Sequence, residues 1–324
     1  MKKRLLVQGR LDDAQVAELS NLFEVTVLPK STSLNDPENS ALLAETHGII
    51  GSGLPITAEL LDSAPNLKAV ATISVGYDTI PVDELTKRGI MLCNTPDVLT
   101  ETTADTGFAL IMATARRVVE LAELVKSDNW KAGIGPALFG SDVHGKTIGM
   151  VGFGRIGQAV AKRGALGFGM KVLYSNASPK PDVEIRLGAE RRDLNELLAE
   201  ADFVCVTVPL TPETERLIGA QEFALMKPSA IFINIARGKV VDEAALIKAL
   251  ENGVIHGAGL DVFEQEPLPA SSPLTKMTNV VALPHIGSAT HETRHAMAQR
   301  AVDNIRLALQ GERPISLVNE EAYR

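Results

Sequence analysis

Three side chains of complementary chemistry stand where apolar runs end in the second half of this 324-residue chain. Arg237 follows Ile231-Phe232-Ile233-Asn234-Ile235-Ala236. Glu266 closes the stretch Asp261-Val262-Phe263-Glu264-Gln265. His285 follows Val280-Val281-Ala282-Leu283-Pro284. A guanidinium presents a planar fork that fits a carboxylate and the carbonyl beside it. An imidazole exchanges protons near neutrality. A carboxylate bonded to that imidazole fixes its orientation and favours its charged form. The set suits proton-coupled reduction of a carbonyl next to a carboxylate, the chemistry of a 2-oxo acid. Each residue alone has a plainer reading. Arg237 could be a surface cation, Glu266 a solvated turn acid and His285 a loop residue capping a helix. Glu264 competes with Glu266, and the spacing relative to Pro267 favours Glu266.

Hydride chemistry needs a carrier, and a second pattern supplies a place for one. Gly152-Phe153-Gly154-Arg155-Ile156-Gly157 follows the apolar run Thr147-Ile148-Gly149-Met150-Val151 and opens a helical pattern over 158–166. In strand–turn–helix context the first glycine permits the tight turn. The second lets backbone approach a pyrophosphate, and the third allows close helix–strand packing. The helix start at Arg155 and Ile156 presents free N–H groups to phosphates. A plain structural turn is the competing reading of the same glycines. The expected acid about 20 residues on is missing. The chain reads Tyr174-Ser175-Asn176-Ala177-Ser178-Pro179-Lys180, with no acid before Asp182. Ser175 and Asn176 can bond a 2′-phosphate and Lys180 can supply charge, so NADP(H) is favoured and NAD(H) stays possible.

The elements that must position these groups read as an α/β fold of two doubly wound, parallel-sheet, Rossmann-like domains with a deep interdomain cleft. Strand patterns at 4–8, 25–28, 48–51, 67–73 and 90–93 alternate with helical patterns at 12–22, 41–46, 57–63 and 81–87. A second set of six strands follows at 147–151, 171–174, 203–206, 230–234, 257–260 and 280–282. In open α/β sheets ligands bind beyond the carboxyl ends of the strands, which lets three such ends converge. One long helix is expected over 101–126, a loop over 130–144 and another long helix over 292–309. The economical layout inserts a dinucleotide-binding domain, 103–288, into a flavodoxin-like substrate domain made of 1–102 and 289–324.

A net charge of −8 argues against a nucleic-acid or anionic-membrane surface. No run reaches transmembrane length and no leader pattern opens the chain, so the cytoplasm is the default location. Cys93 and Cys205 sit in apolar strand patterns and read as small buried hydrophobes. No histidine has ligand-like spacing, so no metal is expected. His291 and His295, one helical turn apart, read as a solvated helix face. Apolar residues of the Ala104–Val118 helix and the Trp130–Phe139 loop suggest a homodimer, with packing inside one chain as the alternative.

With these motifs assembled, the chain resembles the D-isomer-specific 2-hydroxyacid dehydrogenase family over essentially its whole length. Ser74-Val75-Gly76-Tyr77-Asp78, the glycine fingerprint, Asn234-Ile235-Ala236-Arg237-Gly238, Asp261 to Pro267 and Pro284-His285-Ile286-Gly287-Ser288-Ala289-Thr290 carry the resemblance. Asp142-Val143-His144 and Thr290-His291-Glu292-Thr293-Arg294 make it most similar to the 2-ketogluconate reductase and glyoxylate/hydroxypyruvate reductase branch. The resemblance implies that Arg237 binds substrate, Glu266 partners the histidine and His285 is the acid/base. It implies that backbone N–H groups of Val75 and Gly76 hold the substrate carboxylate. It implies cofactor contacts at Val208, Pro209, Thr214, Ile235, Ala236, Arg237, Asp261, His285 and Gly287, with Asp261 on the nicotinamide carboxamide. Where some members carry a tryptophan before the fingerprint strand, this chain has Gly135-Pro136-Ala137-Leu138-Phe139, so a size filter there is unassigned. A phosphoglycerate-type dehydrogenase and a non-enzymatic, NAD(H)-sensing corepressor-like protein stay open as alternatives.

Overall fold

The computed structural model describes residues 2–9, 11–29 and 31–323. The chain divides into two compact units, Met1–Leu99 with Ala289–Arg324, and Thr100–Ser288.

In the first unit β1 (Arg4–Gln8), β2 (Glu24–Leu28), β3 (Gly48–Gly51), β4 (Ala69–Thr72) and β5 (Met91–Cys93) alternate with four helices. These are α1 (Asp13–Leu22), α2 (Ser40–Ala44), α3 (Ala58–Ser63) and α4 (Val82–Lys87). The strands pair in parallel in the order β2-β1-β3-β4-β5, the flavodoxin-like order. Leu5-Leu6-Val7, Ile49-Ile50 and Ala69-Val70-Ala71 are buried. A parallel sheet covered on both faces needs such unbroken apolar runs. Helix α1 starts at a reciprocal capping box in which Asp12 accepts from the Gln15 N–H and Gln15 accepts from the Asp12 N–H.

The second unit opens with α5 (Thr100–Ala115) and α6 (Val118–Lys126). It continues through β6 (Thr147–Val151), α7 (Arg155–Phe168), β7 (Lys171–Ser175), α8 (Pro181–Leu187), β8 (Glu190–Arg191), α9 (Leu194–Glu200) and β9 (Phe203–Val206). It closes with α10 (Ala220–Leu225), β10 (Ile231–Asn234), α11 (Glu243–Glu251), β11 (Gly257–Leu260) and β12 (Val280–Ala282). Among the described residues its sheet is seven-stranded and parallel, in the order β12-β11-β10-β9-β6-β7-β8. This is the dinucleotide-binding order with one strand added beyond β11, and its direction of winding reverses between β6 and β9.

Two features depart from the sequence reading. The sheet has a seventh strand, because Glu190–Arg191 pairs with Leu173 and Tyr174 at the edge. The helix expected over 101–126 is two helices. The break comes where the returning loop lies against the end of α5. Ser141 N–H donates to the Ala115 carbonyl at 2.8 Å, and a Cβ on Gly140 would stand 2.4 Å from that oxygen. Arg117 turns left-handed at φ +53° and restarts the chain as α6, its guanidinium held by Glu120 and the Ala137 carbonyl.

The chain re-enters the first unit with α12 (His291–Gln310), capped by Thr290 on the Thr293 N–H. It packs on β3 so closely that a Cβ on Gly48 would lie 2.9 Å from Leu309 Cδ1. The tail then returns to β5, where the Val318 N–H donates to the Leu92 carbonyl at 2.8 Å.

Candidate active site

The glycine turn sits at the switch point of the seven-stranded sheet. Gly152 has φ +92°, and a Cβ there would lie 2.8 Å from the Val208 backbone nitrogen. A Cβ on Gly157 would lie 2.6 Å from the Gly152 carbonyl and 2.8 Å from Thr207 Oγ1. Both glycines are required by the protein's own packing. Gly154 is different: it has ordinary extended backbone and nothing within 4 Å of where its Cβ would stand. The fold does not need glycine there, so the open space suits a ligand approaching the backbone at the start of α7. Thr207 Oγ1 donates to the Gly152 carbonyl at 2.9 Å, tying β9's exit to the turn. Thr214 Oγ1 donates to the Pro209 carbonyl at 2.6 Å and orders the loop that follows Val208. A dinucleotide fits this cradle. Gly152, Gly154, Arg155, Ile156 and Gly157 would hold its phosphates, with Val208 and Pro209 beside the turn.

At the far side of β7, Asn176 Oδ1 accepts from the Phe153 N–H at 3.0 Å and its Nδ2 donates to the Ser178 carbonyl at 2.9 Å. Asn176 therefore shapes the glycine turn itself. Ser175 ends β7, where its carbonyl accepts from the Gly152 N–H. Lys180 precedes α8, with its backbone N–H on the buried Tyr174 hydroxyl at 2.9 Å.

Arg237, Glu266 and His285 leave three adjacent strands, β10, β11 and β12. Asn234, 2% exposed, caps β10's exit by accepting from the Ala236 N–H and donating to the Arg237 carbonyl, each at 3.0 Å. Arg237 donates from Nη1 to the Ala236 carbonyl at 2.7 Å. Gly238 lies against the chain leaving β11, since a Cβ there would stand 1.9 Å from the Phe263 carbonyl. Glu266 turns back within that chain and accepts from the Phe263 N–H through Oε1 at 3.1 Å. Its Oε2 meets His285 Nδ1 at 2.8 Å. His285 has a left-handed φ of +53°, a conformation uncommon for side-chain-bearing residues and concentrated at functional sites. Asp261 holds the loop that carries it, accepting from the Ile286 and Gly287 N–H groups at 2.7 and 2.8 Å. Burial pushes the Asp261 carboxyl above the usual range, and those two bonds pull the other way. Glu264 pairs with Arg216 at 3.4 Å, so it is Glu266 that reaches the imidazole.

His285 and Glu266 border a cavity of about 550 Å³, also lined by Pro267, Leu268, Leu283 and Pro284. The volume suits a small ligand. His285 is half-exposed toward solvent. With Nδ1 committed to the carboxylate, Nε2 is the nitrogen left to exchange a proton with a bound substrate.

In the first unit, Val75 and Gly76 follow β4. Ser74 Oγ donates to the Gly76 carbonyl at 2.6 Å, and Asn94 Nδ2 donates to the Val75 carbonyl at 2.8 Å. Both carbonyls of this turn are therefore engaged by side chains.

Residues 108–287 match the model of the D-isomer specific 2-hydroxyacid dehydrogenase, NAD binding domain. The chain is 53% identical to a glyoxylate/hydroxypyruvate reductase B of Escherichia fergusonii over the full length of both proteins. A protein of the same name from Pectobacterium carotovorum is also 53% identical over all of both chains. The chain belongs to the D-isomer specific 2-hydroxyacid dehydrogenase family. Among solved structures, an NADPH-dependent glyoxylate/hydroxypyruvate reductase from Sinorhizobium meliloti in complex with NADP and malonate superposes with a TM-score of 0.89. That protein is 35% identical, with 100% of this chain and 99% of the other covered.

Within this dehydrogenase fold the structure gives positioning roles to residues to which the sequence assigned none. Asn234 and Gly238 position Arg237, Thr207 braces the glycine turn, and Arg191 on β8 donates to the carbonyls that follow β7. The Arg-Gly pair and the asparagine at the strand end were visible signals of a tight turn. No sequence signal marks Arg191, because a two-residue edge strand has no periodicity. Ile235 and Ala236 are buried at β10's exit, and Gly287 is pressed against Asp261 and Thr103.

Proposed function

We propose that this chain reduces small 2-oxo acids to D-2-hydroxy acids with NADPH, acting on glyoxylate, hydroxypyruvate and 2-ketogluconate. The observation that carries the reading is the 2.8 Å bond between His285 Nδ1 and Glu266 Oε2 beside a ligand-sized cavity. The naming of relatives at 53% identity and the NADP bound to the Sinorhizobium meliloti protein support the substrate class and cofactor.

A reduced nicotinamide held by this cradle would supply hydride for the substrate carbonyl. Arg237 binds the substrate and polarises its carbonyl with a planar, permanently charged fork. Protonated His285 donates from Nε2 to the forming hydroxyl, and Glu266 fixes the plane of the imidazole through its bond to Nδ1. In the oxidation direction neutral His285 accepts the proton. Val75 and Gly76 are assigned to the substrate carboxylate, which makes 1–102 with 289–324 the substrate domain and 103–288 the dinucleotide domain. Asp261, Ile235, Ala236, Thr214 and Gly287 are assigned to cofactor contacts, and Ser175, Asn176 and Lys180 to the adenosine end.

The functional form in this reading is a homodimer. Val118, Val119 and Val125 on α6, with Trp130, Ile134 and Phe139 after it, are exposed, an apolar surface that a second copy can cover. A cytoplasmic location agrees with two unpaired, buried cysteines. Among the described residues no helix is long and apolar enough to cross a membrane.

A panel of the three 2-oxo acids with NADPH and NADH, followed by loss of reduced-nicotinamide absorbance, tests the proposal. Turnover with NADPH on at least one of the three is the expected result. No turnover on any substrate with either cofactor overturns the enzymatic reading and favours a sensing role.

A further inference from the structure

In a dinucleotide unit the carboxyl end of the second strand receives the adenosine ribose, and an arginine nearby accommodates a 2′-phosphate. Here that strand is β7. Of the three side chains expected to serve a phosphate there, Asn176 is partly committed to the turn. Its Oδ1 accepts from the Phe153 N–H, and one of its two Nδ2 hydrogens goes to the Ser178 carbonyl. A single amide N–H is a weak partner for a dianionic phosphate, which calls for a cation above all.

Arg191 is placed to be that cation. It lies on β8 in register with Tyr174 of β7. From there Nη2 donates to the Asn176 carbonyl at 3.1 Å and to the Ala177 carbonyl at 3.4 Å. The guanidinium is thus fastened against the turn that follows β7. Its one fastened nitrogen leaves Nε and Nη1, part of a planar array of five donors. The adjacent acid does not cancel its charge. Glu190 is engaged by Arg192 and by Lys171 at 3.6 Å. Arg191 itself is exposed.

We propose that Arg191 recognises the 2′-phosphate of the cofactor and sets the preference for NADPH over NADH, a proposal that rests on the NADPH reading above. The side chain reaches the site from the third strand of the unit rather than from the loop after the second. Its two carbonyl bonds hold the fork in place before the ligand arrives, which limits the ordering cost on binding. Ser175, which ends β7, and Lys180, which precedes α8, serve as secondary donors in this proposal.

The test is binding, measured by calorimetry on the intact protein with no substrate present. Dissociation constants are taken for 2′,5′-ADP, ADP, NADPH and NADH, using the wild type, Arg191→Gln, Arg191→Lys and Lys180→Gln. Arg191→Gln is expected to weaken 2′,5′-ADP and NADPH by about tenfold or more, the weight of a charge-assisted pair. ADP and NADH should change by less than about twofold. Arg191→Lys should recover part of the loss, and Lys180→Gln should lose less than Arg191→Gln. Equal losses on ADP and 2′,5′-ADP overturn the proposal, because the arginine then only shapes the turn. A wild type that prefers 2′,5′-ADP, with Arg191→Gln unchanged, overturns it and leaves the NADPH reading standing. A wild type that binds ADP as tightly as 2′,5′-ADP overturns both.

Discussion

Gly154 and Gly157 belong to one fingerprint, yet the structure predicts opposite consequences for placing alanine at each. At Gly154 the backbone is extended (φ −76°) and the new methyl meets nothing within 4 Å. Replacing glycine in a compatible conformation stabilises by about 0.4–1 kcal/mol through the unfolded chain. For a domain of this size that raises Tm by about 1–4 °C. The same methyl fills the space where the backbone would approach a pyrophosphate, so NADPH affinity should fall by about tenfold or more. At Gly157 the methyl stands 2.6 Å from a backbone carbonyl and 2.8 Å from Thr207 Oγ1. Overpacking of that kind costs about 1–3 kcal/mol, a Tm loss of about 2–12 °C. Thermal melts and fluorescence titration with NADPH on the two single variants separate the effects. Wild-type NADPH affinity in a fully folded Gly154→Ala refutes the assignment of this turn as the phosphate cradle.

Gly238→Ala places a methyl 1.9 Å from the Phe263 carbonyl and must drive β10's exit away from the chain carrying Glu266. A misplacement of about 1 Å at a reacting group costs about 100-fold, so kcat/KM should drop on that scale, and an unchanged value contradicts the packing argument. Cys93 and Cys205 are buried with thiols pushed up to about 12 by desolvation. Only about one thiol in 10⁴ is then ionised at pH 8, so a disulfide reagent should label the native protein negligibly and both thiols after denaturation. Rapid native labelling counts against their burial. His47 is held below its ordinary value of 6.5 by burial first, then by Lys3, Lys68 and Arg4. The folded state therefore binds the proton less readily than the unfolded chain, and stability falls as pH drops from about 6.5 toward the lowered folded value. His47→Asn should flatten the dependence of Tm on pH between 7.5 and 5.5, and parallel curves contradict the assignment.

The strands were legible because parallel sheets bury both faces, so Ile49-Ile50 and Phe203 to Val206 announce themselves as apolar runs. The grouping of the candidate site was legible because Arg237, Glu266 and His285 lie beyond the ends of three such runs, and the structure brings Glu266 and His285 into contact. Other features depended on contacts between distant segments. Nothing in Arg116-Arg117 ends a helix, and α5 stops because the loop at Gly140 and Ser141 closes over Ala115. Helix α8 did carry signals, with Pro181 at its first position and Gly188 left-handed after its last, but its short length hid them. Strand β8 exists only through pairing with β7, and the position of Arg191 follows from that pairing. Asn234 looked like the last residue of a strand. Its value as a brace for Arg237 depends on two hydrogen bonds within the turn.

In the proposed reaction His285, oriented by Glu266, supplies the proton during reduction of a 2-oxo acid. Single-turnover oxidation of bound NADPH by hydroxypyruvate, in wild type and His285→Ala, isolates that transfer. The expected result is a loss of about 10²–10⁴ in the rate of that step, with the NADPH dissociation constant essentially unchanged. A variant that oxidises NADPH at the wild-type rate rules out His285 as the proton donor.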